Sequence, residues 1–348
     1  MNDGDRDVGA APNQVGISGQ KVVTFGGGTG HYYLLRGLAE HLPPENITAI
    51  PGTWDDGGSS GRLRTELGVL PPGDARQCLI ALMRSGAQRE VAQALFEDRL
   101  MEIDGPFKGH SVGNLIAARL EQIFRGQDRG MDAARTLFGV RSNIVPISLT
   151  DLRLIAHTRS GVEIEGETNV DLRSRRDDFV PEDRIARIHF NTRAAPSPQA
   201  LQAIAEADKI VFAPGDLYTS ILPHLLVDGI QEAIAAARGR LIFVLNLMTK
   251  RGETDAYRAS DHLEAFLFYL YDNARLDYVV ANTNGLHPEV LEIYGREGQN
   301  PVEFDEAACR ALAPRAVLVR AQLARYLRRE HLVRHDPERL ATTILDLD

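Results

Sequence analysis

"TFGGGTGHYYLLRGL", residues 24–38, sets four glycines and a threonine between a short apolar run and leucines at helical spacing. Lys21 to Phe25 reads as a buried strand, and Leu34, Leu35, Leu38 and Leu42 recur on one face of a helix directly after it. The turn between them has no bulky side chain before His31, so backbone N–H groups at the helix start can come close to an anion. Neither familiar spelling of such a loop fits. A dinucleotide fingerprint G-x-G-x-x-G counted from Gly26 finds His31 in the last glycine slot, and counted from Gly28 it finds Tyr33. A P-loop needs a lysine after its last glycine, and none follows. The stretch is therefore either a phosphate cradle with its own spelling or a plain tight turn from strand to helix.

The same alternation continues outward. Further strands are predicted at Ile47 to Ile50, Ala186 to Phe190, Lys209 to Ala213, Leu241 to Asn246 and Asp277 to Ala281, with helical patterns between them. That order implies an α/β fold, a Rossmann-like parallel sheet with helices on both faces. Residues 75–140 read as a helical insertion, broken near "IDGPFKGHS", and "LRLIAHTRSGVEIEGETNVD" alternates as a β-hairpin around Ser160-Gly161. Residues 1–20 are polar and glycine-rich and are expected to be a disordered lead-in, with 21–348 forming one domain. In open α/β sheets ligands gather at the carboxyl ends of strands. Four unusual polar stretches follow predicted strands: Gly26 to Gly30, "TWDDGGSSGRLR", "PGDLYTS" and "NLMTKRGETD".

Composition narrows the function. The 348 residues are 43% hydrophobic, enough for a full core, and 39 basic against 48 acidic residues give a net charge of -9, which argues against a nucleic-acid surface. No stretch approaches the ~18 apolar residues of a membrane helix, and Cys78 and Cys309 form no C-x-x-C pair, so a cytoplasmic protein without disulfide or cysteine–zinc chemistry is expected.

Each polar stretch suggests specific chemistry. Asp55 and Asp56 can hold a ribose, a base edge or a magnesium ion; Ser59 and Ser60 can cap the next helix; Arg62 and Arg64 can pair with phosphate. Asp74, in "LPPGDARQC", suits a helix cap. Gly215, Asp216, Thr219 and Ser220 repeat the form of an anion cradle after the strand at Lys209. Asn246, Thr249, Lys250, Arg251, Glu253 and Asp255 crowd one loop. Gly109 to Gly113 spell G-x-S-x-G, yet "EIDGPFK" cannot make the strand a nucleophile elbow needs, so Ser111 reads as a helix-start residue, Asn114 as a group facing the ligand, and a serine hydrolase as a weak rival. His331 and His335 have the i, i+4 spacing of a zinc helix but lack its glutamate, and surface histidines are expected. Trp54 either stacks on a base or anchors its loop.

Taken in order, "FGGGTG", "DDGGSSGRLR", "LPPGD", "GHSVGNL", "PGDLYTSILPHLL", "NLMTKRGETD" and "DHLEAF" resemble the CofD-like superfamily, over about residues 21–340, and most closely its gluconeogenesis-factor (YvcK-type) branch. The resemblance implies binding of UDP-sugars, notably UDP-N-acetylglucosamine, and a link to cell shape and cell-wall balance during growth on gluconeogenic carbon. It carries ligand contact onto Gly27, Gly28, Thr29, Gly30, Asp55, Asp56, Ser59, Ser60, Asn114, Gly215 and the loop with Thr249, Gly252, Glu253 and Thr254. "YGREGQNPV" and "RHDPE" match segments of that branch and make Tyr294 and Arg334 candidates for the uridine sugar. The other branch, 2-phospho-L-lactate transferase, would instead use the carboxylate pair to hold magnesium on a diphosphate while an acceptor hydroxyl attacks. No nucleophile with its base is evident, so no catalytic residue is assigned. The expected partners are a nucleotide sugar or other nucleotide diphosphate and further copies of the chain in a homo-oligomer. The chain departs from the branch at Trp54, at His31-Tyr32-Tyr33, at Ala213 and Asp216 where "GPGS" is usual, and at Lys250-Arg251 where "QP" is usual.

Overall fold

The computed structural model describes residues 19–270 and 275–348; most of the expected N-terminal lead-in, residues 1–18, lies outside the described residues. The strands are β1 (Val22–Gly26), β2 (Ile47–Pro51), β3 (Asn143–Ile144), β4 (Leu154–Thr158), β5 (Glu163–Glu165), β6 (Ile185–Phe190), β7 (Lys209–Phe212), β8 (Arg240–Val244), β9 (Leu276–Asn282), β10 (Val317–Ala321), β11 (Ala324–Leu327) and β12 (Leu332–His335). Seven of them form one parallel sheet in the order β10-β9-β8-β7-β1-β2-β3. The chain thus builds outward from β1 to one edge and returns to build from β7 to the other. The crevice between the carboxyl ends of β1 and β7 is the point where a doubly wound sheet opens for ligands.

Alternation along the strands divides the interior in two. Val23, Phe25, Ile210, Phe212, Leu241 and Phe243 enter one core, while Val22, Ile47, Ala49, Val211, Ile242 and Val244 enter the other. The second face is covered by α1 (Gly28–His41), α3 (Gly73–Leu82), α4 (Ala87–Glu97) and α6 (Gln127–Leu137); in the chain α2 (Gly58–Leu67) lies between α1 and α3, and α5 (Val112–Phe124) between α4 and α6. These helices confirm the helical character of residues 75–138, and the break falls at residues 98–111. Leu34, Leu35 and Leu38 of α1 are fully buried, as their spacing predicts. The C-terminal helix α13 (Pro337–Leu345) packs on α1, and Gly37 is where they touch: a Cβ there would lie 2.0 Å from Pro337 O. Lys209 in β7 ties down the other end of α13, its Nζ donating to Ile344 O at 3.0 Å and Leu345 O at 2.6 Å.

The first face carries α8 (Pro198–Glu206), α9 (Ile230–Ala236), α10 (Ala259–Tyr269) and α12 (Glu306–Leu312), and between them a three-stranded antiparallel sheet of order β5-β4-β6. The predicted hairpin is β4–β5. The segment Ala186 to Phe190, expected in the parallel sheet, instead pairs antiparallel with β4 and completes this small sheet. Helix α7 (Glu167–Asp171) follows β5, and α11 (Pro288–Arg296) packs against the hairpin β11–β12.

Candidate ligand-binding cleft

A cleft of about 460 Å³ opens at the β1/β7 switch point. Its lining joins three of the four expected loops to elements distant in sequence: Gly27 to Gly30, Gly215 and Asp216 with Ser220, and Asn246 and Thr249, together with Tyr294 of α11 and Arg334 of β12. Gly28 has φ +64, a conformation only glycine adopts without strain, and a Cβ on Gly30 would lie 1.9 Å from Pro214 O, so the two loops meet backbone to backbone.

The loops are tied before any ligand arrives. Gly28 N–H donates to Asp74 Oδ1 at 3.0 Å, and Gly215 N–H donates to Asn246 Oδ1 at 3.0 Å while Asn246 Nδ2 donates back to Gly215 O at 2.7 Å. Asp74 therefore lies inside the first turn of α3, whose cap position is Pro72, and braces the glycine loop rather than capping its own helix. What remains for an anion is the rest of the first turn of α1, whose N–H groups have no acceptor within the helix. Thr249 Oγ1 accepts from Asn300 N–H at 2.9 Å, which leaves its hydroxyl proton free to donate. Tyr294, 8% exposed, is fixed in the wall by Val333 N–H and by Arg334 Nη1, which reach its hydroxyl at 3.3 and 3.2 Å.

Two of the departures from the expected motifs meet here. Lys250 Nζ lies 3.3 Å from Asp216 Oδ2 and 2.7 Å from Asp171 Oδ1. Burial alone would lower Lys250, but Asp216, Glu253 and Asp171 together raise it above the ordinary lysine value. The carboxylates of Asp171, Asp216 and Glu253 lie within 4.8 Å of one another, and the lysine ammonium meets their charge. Glu253 is buried and accepts from Tyr218 N–H and Thr219 Oγ1, both at 2.8 Å, holding the π-helical turn Leu217–Ile221.

The "WDDGGSSGRLR" stretch stands beside this cleft and does not line it. Trp54 is 2% exposed and its indole N–H donates to Thr219 O at 2.7 Å, so it anchors one loop on the other. Ser59 and Ser60 lie within the first turn of α2 and do not cap it; the cap position is Gly57. Ser59 bonds His110 Nδ1 at 2.9 Å, and Ser60 accepts from Asn114 Nδ2 at 3.3 Å, so Asn114 faces α2 across the interior. Arg62 donates to Lys108 O at 2.7 Å, and Arg64 donates to Leu152 O and pairs with Asp151, so both guanidinia serve the protein itself. Asp56 Oδ1 accepts Thr168 N–H at 2.8 Å, and Thr254 Oγ1 accepts Lys250 N–H at 2.8 Å, while Gly252 takes a turn with φ +96 closed by Asp255.

Asp55, Asp74 and Glu167 form a nest of carboxyls next to the glycine loop. Burial raises all three, and repulsion adds to it, bringing Asp74 to about 7 and Glu167 to about 10. Oxygen donors held together at such a cost in repulsion suit a hard divalent cation. Asp56 adds to the repulsion on both Asp55 and Glu167. Sequence reasoning passed over Glu167, Asp171 and the cleft-lining Glu297, and it named the cleft-lining Tyr33 only as a departure from the branch and His335 only as a surface histidine. Tyr33, one turn beyond the loop, was the one with a signal.

Ser111 caps α5, accepting Asn114 N–H at 3.1 Å, and no strand precedes it as a nucleophile elbow requires. His331 and His335 lie in the β-hairpin rather than on a helix, and His335 is buried, contrary to the surface placement expected of it.

A doubly wound sheet with glycine loops at its switch point and a polar cleft above them defines an α/β protein of the Rossmann-like class. Residues 22–322 match the family model described as 2-phospho-L-lactate transferase CofD. Among curated relatives, a putative gluconeogenesis factor from a Nostoc species is 39% identical over 94% of this chain and 68% of its own length, and the gluconeogenesis factor of Bacillus subtilis is 35% identical over 94% and 98%. A crystal structure of a Bacillus halodurans protein superposes with a TM-score of 0.85 at 35% identity, covering 94% of this chain and 99% of that one. The chain belongs to the CofD-like superfamily, in its gluconeogenesis-factor branch. Among the described residues no helix is long and apolar enough to cross a membrane.

Proposed function

We propose that this chain is a cytoplasmic nucleotide-sugar-binding protein of the gluconeogenesis-factor type, taking a UDP-sugar in the main cleft and linking carbon supply to cell-wall precursors. The observation that carries this reading is the convergence of three strand-end loops, after β1, β7 and β8, with Tyr294 and Arg334 on one cleft. The first turn of α1, Ser220 and Thr249 hold the diphosphate; Tyr294 offers an aromatic edge and Arg334 a guanidinium to the uridine sugar. A thermal-shift panel of UDP-sugars, GDP and dinucleotides tests it: a selective rise in melting temperature with UDP-sugars is expected, and no shift with any nucleotide defeats it.

The carboxyl nest favours a second reading, a transferase of the phospholactyl type. Asp55, Asp74 and Glu167 would hold magnesium, which when bound neutralises diphosphate charge, while the loops align an acceptor hydroxyl. Transfer from a nucleotide-activated phospholactyl donor to a deazaflavin acceptor would place this reading first.

A further inference from the structure

A second depression, of about 340 Å³, lies across the wall formed by Thr29 and Tyr33, residues that also line the main cleft. Its polar groups come from α3, α4 and the segment after α4: Arg76, Gln77, Gln93, Glu97 and Arg99. Arg76 is 8% exposed; its Nη1 donates to Phe96 O at 2.9 Å, while its Nε is buried without a partner. An unused donor on a buried guanidinium is costly unless something supplies an acceptor. Arg99 is exposed, held by one bond from its Nη1 to Gly109 O at 3.2 Å. Burial first, and then the like charge of Arg99, lower Arg76 below the ordinary arginine value. Glu97 is the one carboxylate in the lining, and Gln93 Nε2 donates to it at 3.0 Å. The lining itself thus holds two guanidinia against one carboxylate, with Asp74 and Asp55 acting on Arg76 more weakly than Arg99 and Glu97 do. The main cleft differs, because Lys250 is spent on Asp171 and Asp216.

We propose that this depression is a second subsite, one that seats an oxyanion, phosphoryl or carboxylate, between Arg76 and Arg99. It extends the nucleotide reading: the oxyanion belongs either to a separate small molecule bound beside the nucleotide sugar or to the far end of one ligand that reaches past Thr29 and Tyr33. Planar, multidentate donors are the chemistry that selects such groups over water.

The test titrates inorganic phosphate calorimetrically into the parent protein, Arg99→Gln and Arg334→Gln. Arg99 is exposed and makes a single backbone bond, so its replacement leaves the fold intact. Phosphate affinity is expected to fall about tenfold or more in Arg99→Gln and less than about twofold in Arg334→Gln, in keeping with loss of a charge-assisted contact. UDP titrated with and without phosphate then separates the sources: independent binding identifies a second molecule and competition that disappears in Arg99→Gln a single spanning ligand, both supporting the subsite, whereas competition unchanged in Arg99→Gln places the phosphate in the diphosphate seat and overturns it. Equal phosphate affinity in parent and Arg99→Gln, or loss in Arg334→Gln alone, overturns it. Failure of UDP to bind, with the Arg99 dependence retained, defeats the nucleotide reading and leaves the subsite standing.

Discussion

Lys250 shows how much a single side chain can settle. Its ammonium is the counter-charge for Asp171 and Asp216, with Glu253 close by, at the edge of the cleft. Lys250→Gln leaves those carboxylates without it. The side chains are a quarter to two-fifths exposed, so water screens part of the loss, and a destabilisation of about 1–2 kcal/mol is expected in urea unfolding. Adding Asp216→Ser should recover at least half of it, because the two positions are coupled; strictly additive losses would show that they are not. The pairing also explains why Asp216 and Lys250 depart from the branch motif together. Arg334 belongs to the ligand instead. Arg334→Gln is expected to weaken UDP-sugar binding tenfold or more, about 1.4 kcal/mol, with the melting temperature nearly unchanged, and equal affinity in the variant would remove Arg334 from the site. Trp54 illustrates the limit of residue-level reading. Sequence leaves stacking and anchoring equally open, and only the bond to Thr219 O, from a residue 165 positions away, decides for anchoring.

At the scale of elements, periodicity was informative wherever a segment had one clear face. β1, β2, β7, β8 and β9 fall within a residue or two of their predicted limits because both faces are buried and their apolar runs are continuous. β3 has two residues and β10 is a half-exposed edge strand, so neither carries a readable run. Ile185–Phe190 was legible as a strand, but its partner was not, since an alternating pattern does not say which sheet receives it. Contact between helices is equally hidden from pattern. Nothing around Gly37 announces that Pro337 O comes so close, yet Gly37→Ala must push α1 and α13 apart. A loss of about 2–3 kcal/mol is expected, read as a lower urea midpoint with an unchanged slope. A neutral result would mean that the two helices slide freely. The carboxyl ends of the strands were the most legible feature of the candidate site, because glycine, hydroxyl and charged residues accumulate there for one physical reason: the sheet leaves its orphan backbone groups at that edge.

For the molecule as a whole, the buried ionisable groups set opposing trends with pH. His31, His224 and His335 are lowered by burial, to about 3, 4 and 4, and stay neutral in the fold. The unfolded chain takes up protons at these sites below about pH 6.5, so it binds more protons than the native state and stability falls as pH drops through that range. Asp74 and Glu167 act in the opposite sense. Raised to about 7 and about 10, they keep protons in the fold that the unfolded chain has already released above about pH 4–4.5. Their contribution therefore declines as pH climbs toward 7 for Asp74 and toward 10 for Glu167. Glu121 and Glu253, raised to about 7 and about 8, act with them; between about pH 4.5 and 6.5 the two sets oppose each other, and from about pH 6.5 to 8 the carboxyls act without the histidines, so the melting temperature should fall across that upper range. Glu167→Gln isolates one limb. The amide needs no proton, so the variant should melt a few degrees above the parent at pH 8, with the difference shrinking as pH falls toward the ordinary glutamate range, where the unfolded chain regains its proton. Melting curves from pH 4.5 to 9 read both effects. A parent and variant that run parallel across that range would mean that neither burial nor the neighbouring carboxylates raise Glu167, and the strain assigned to this group of carboxyls would be absent.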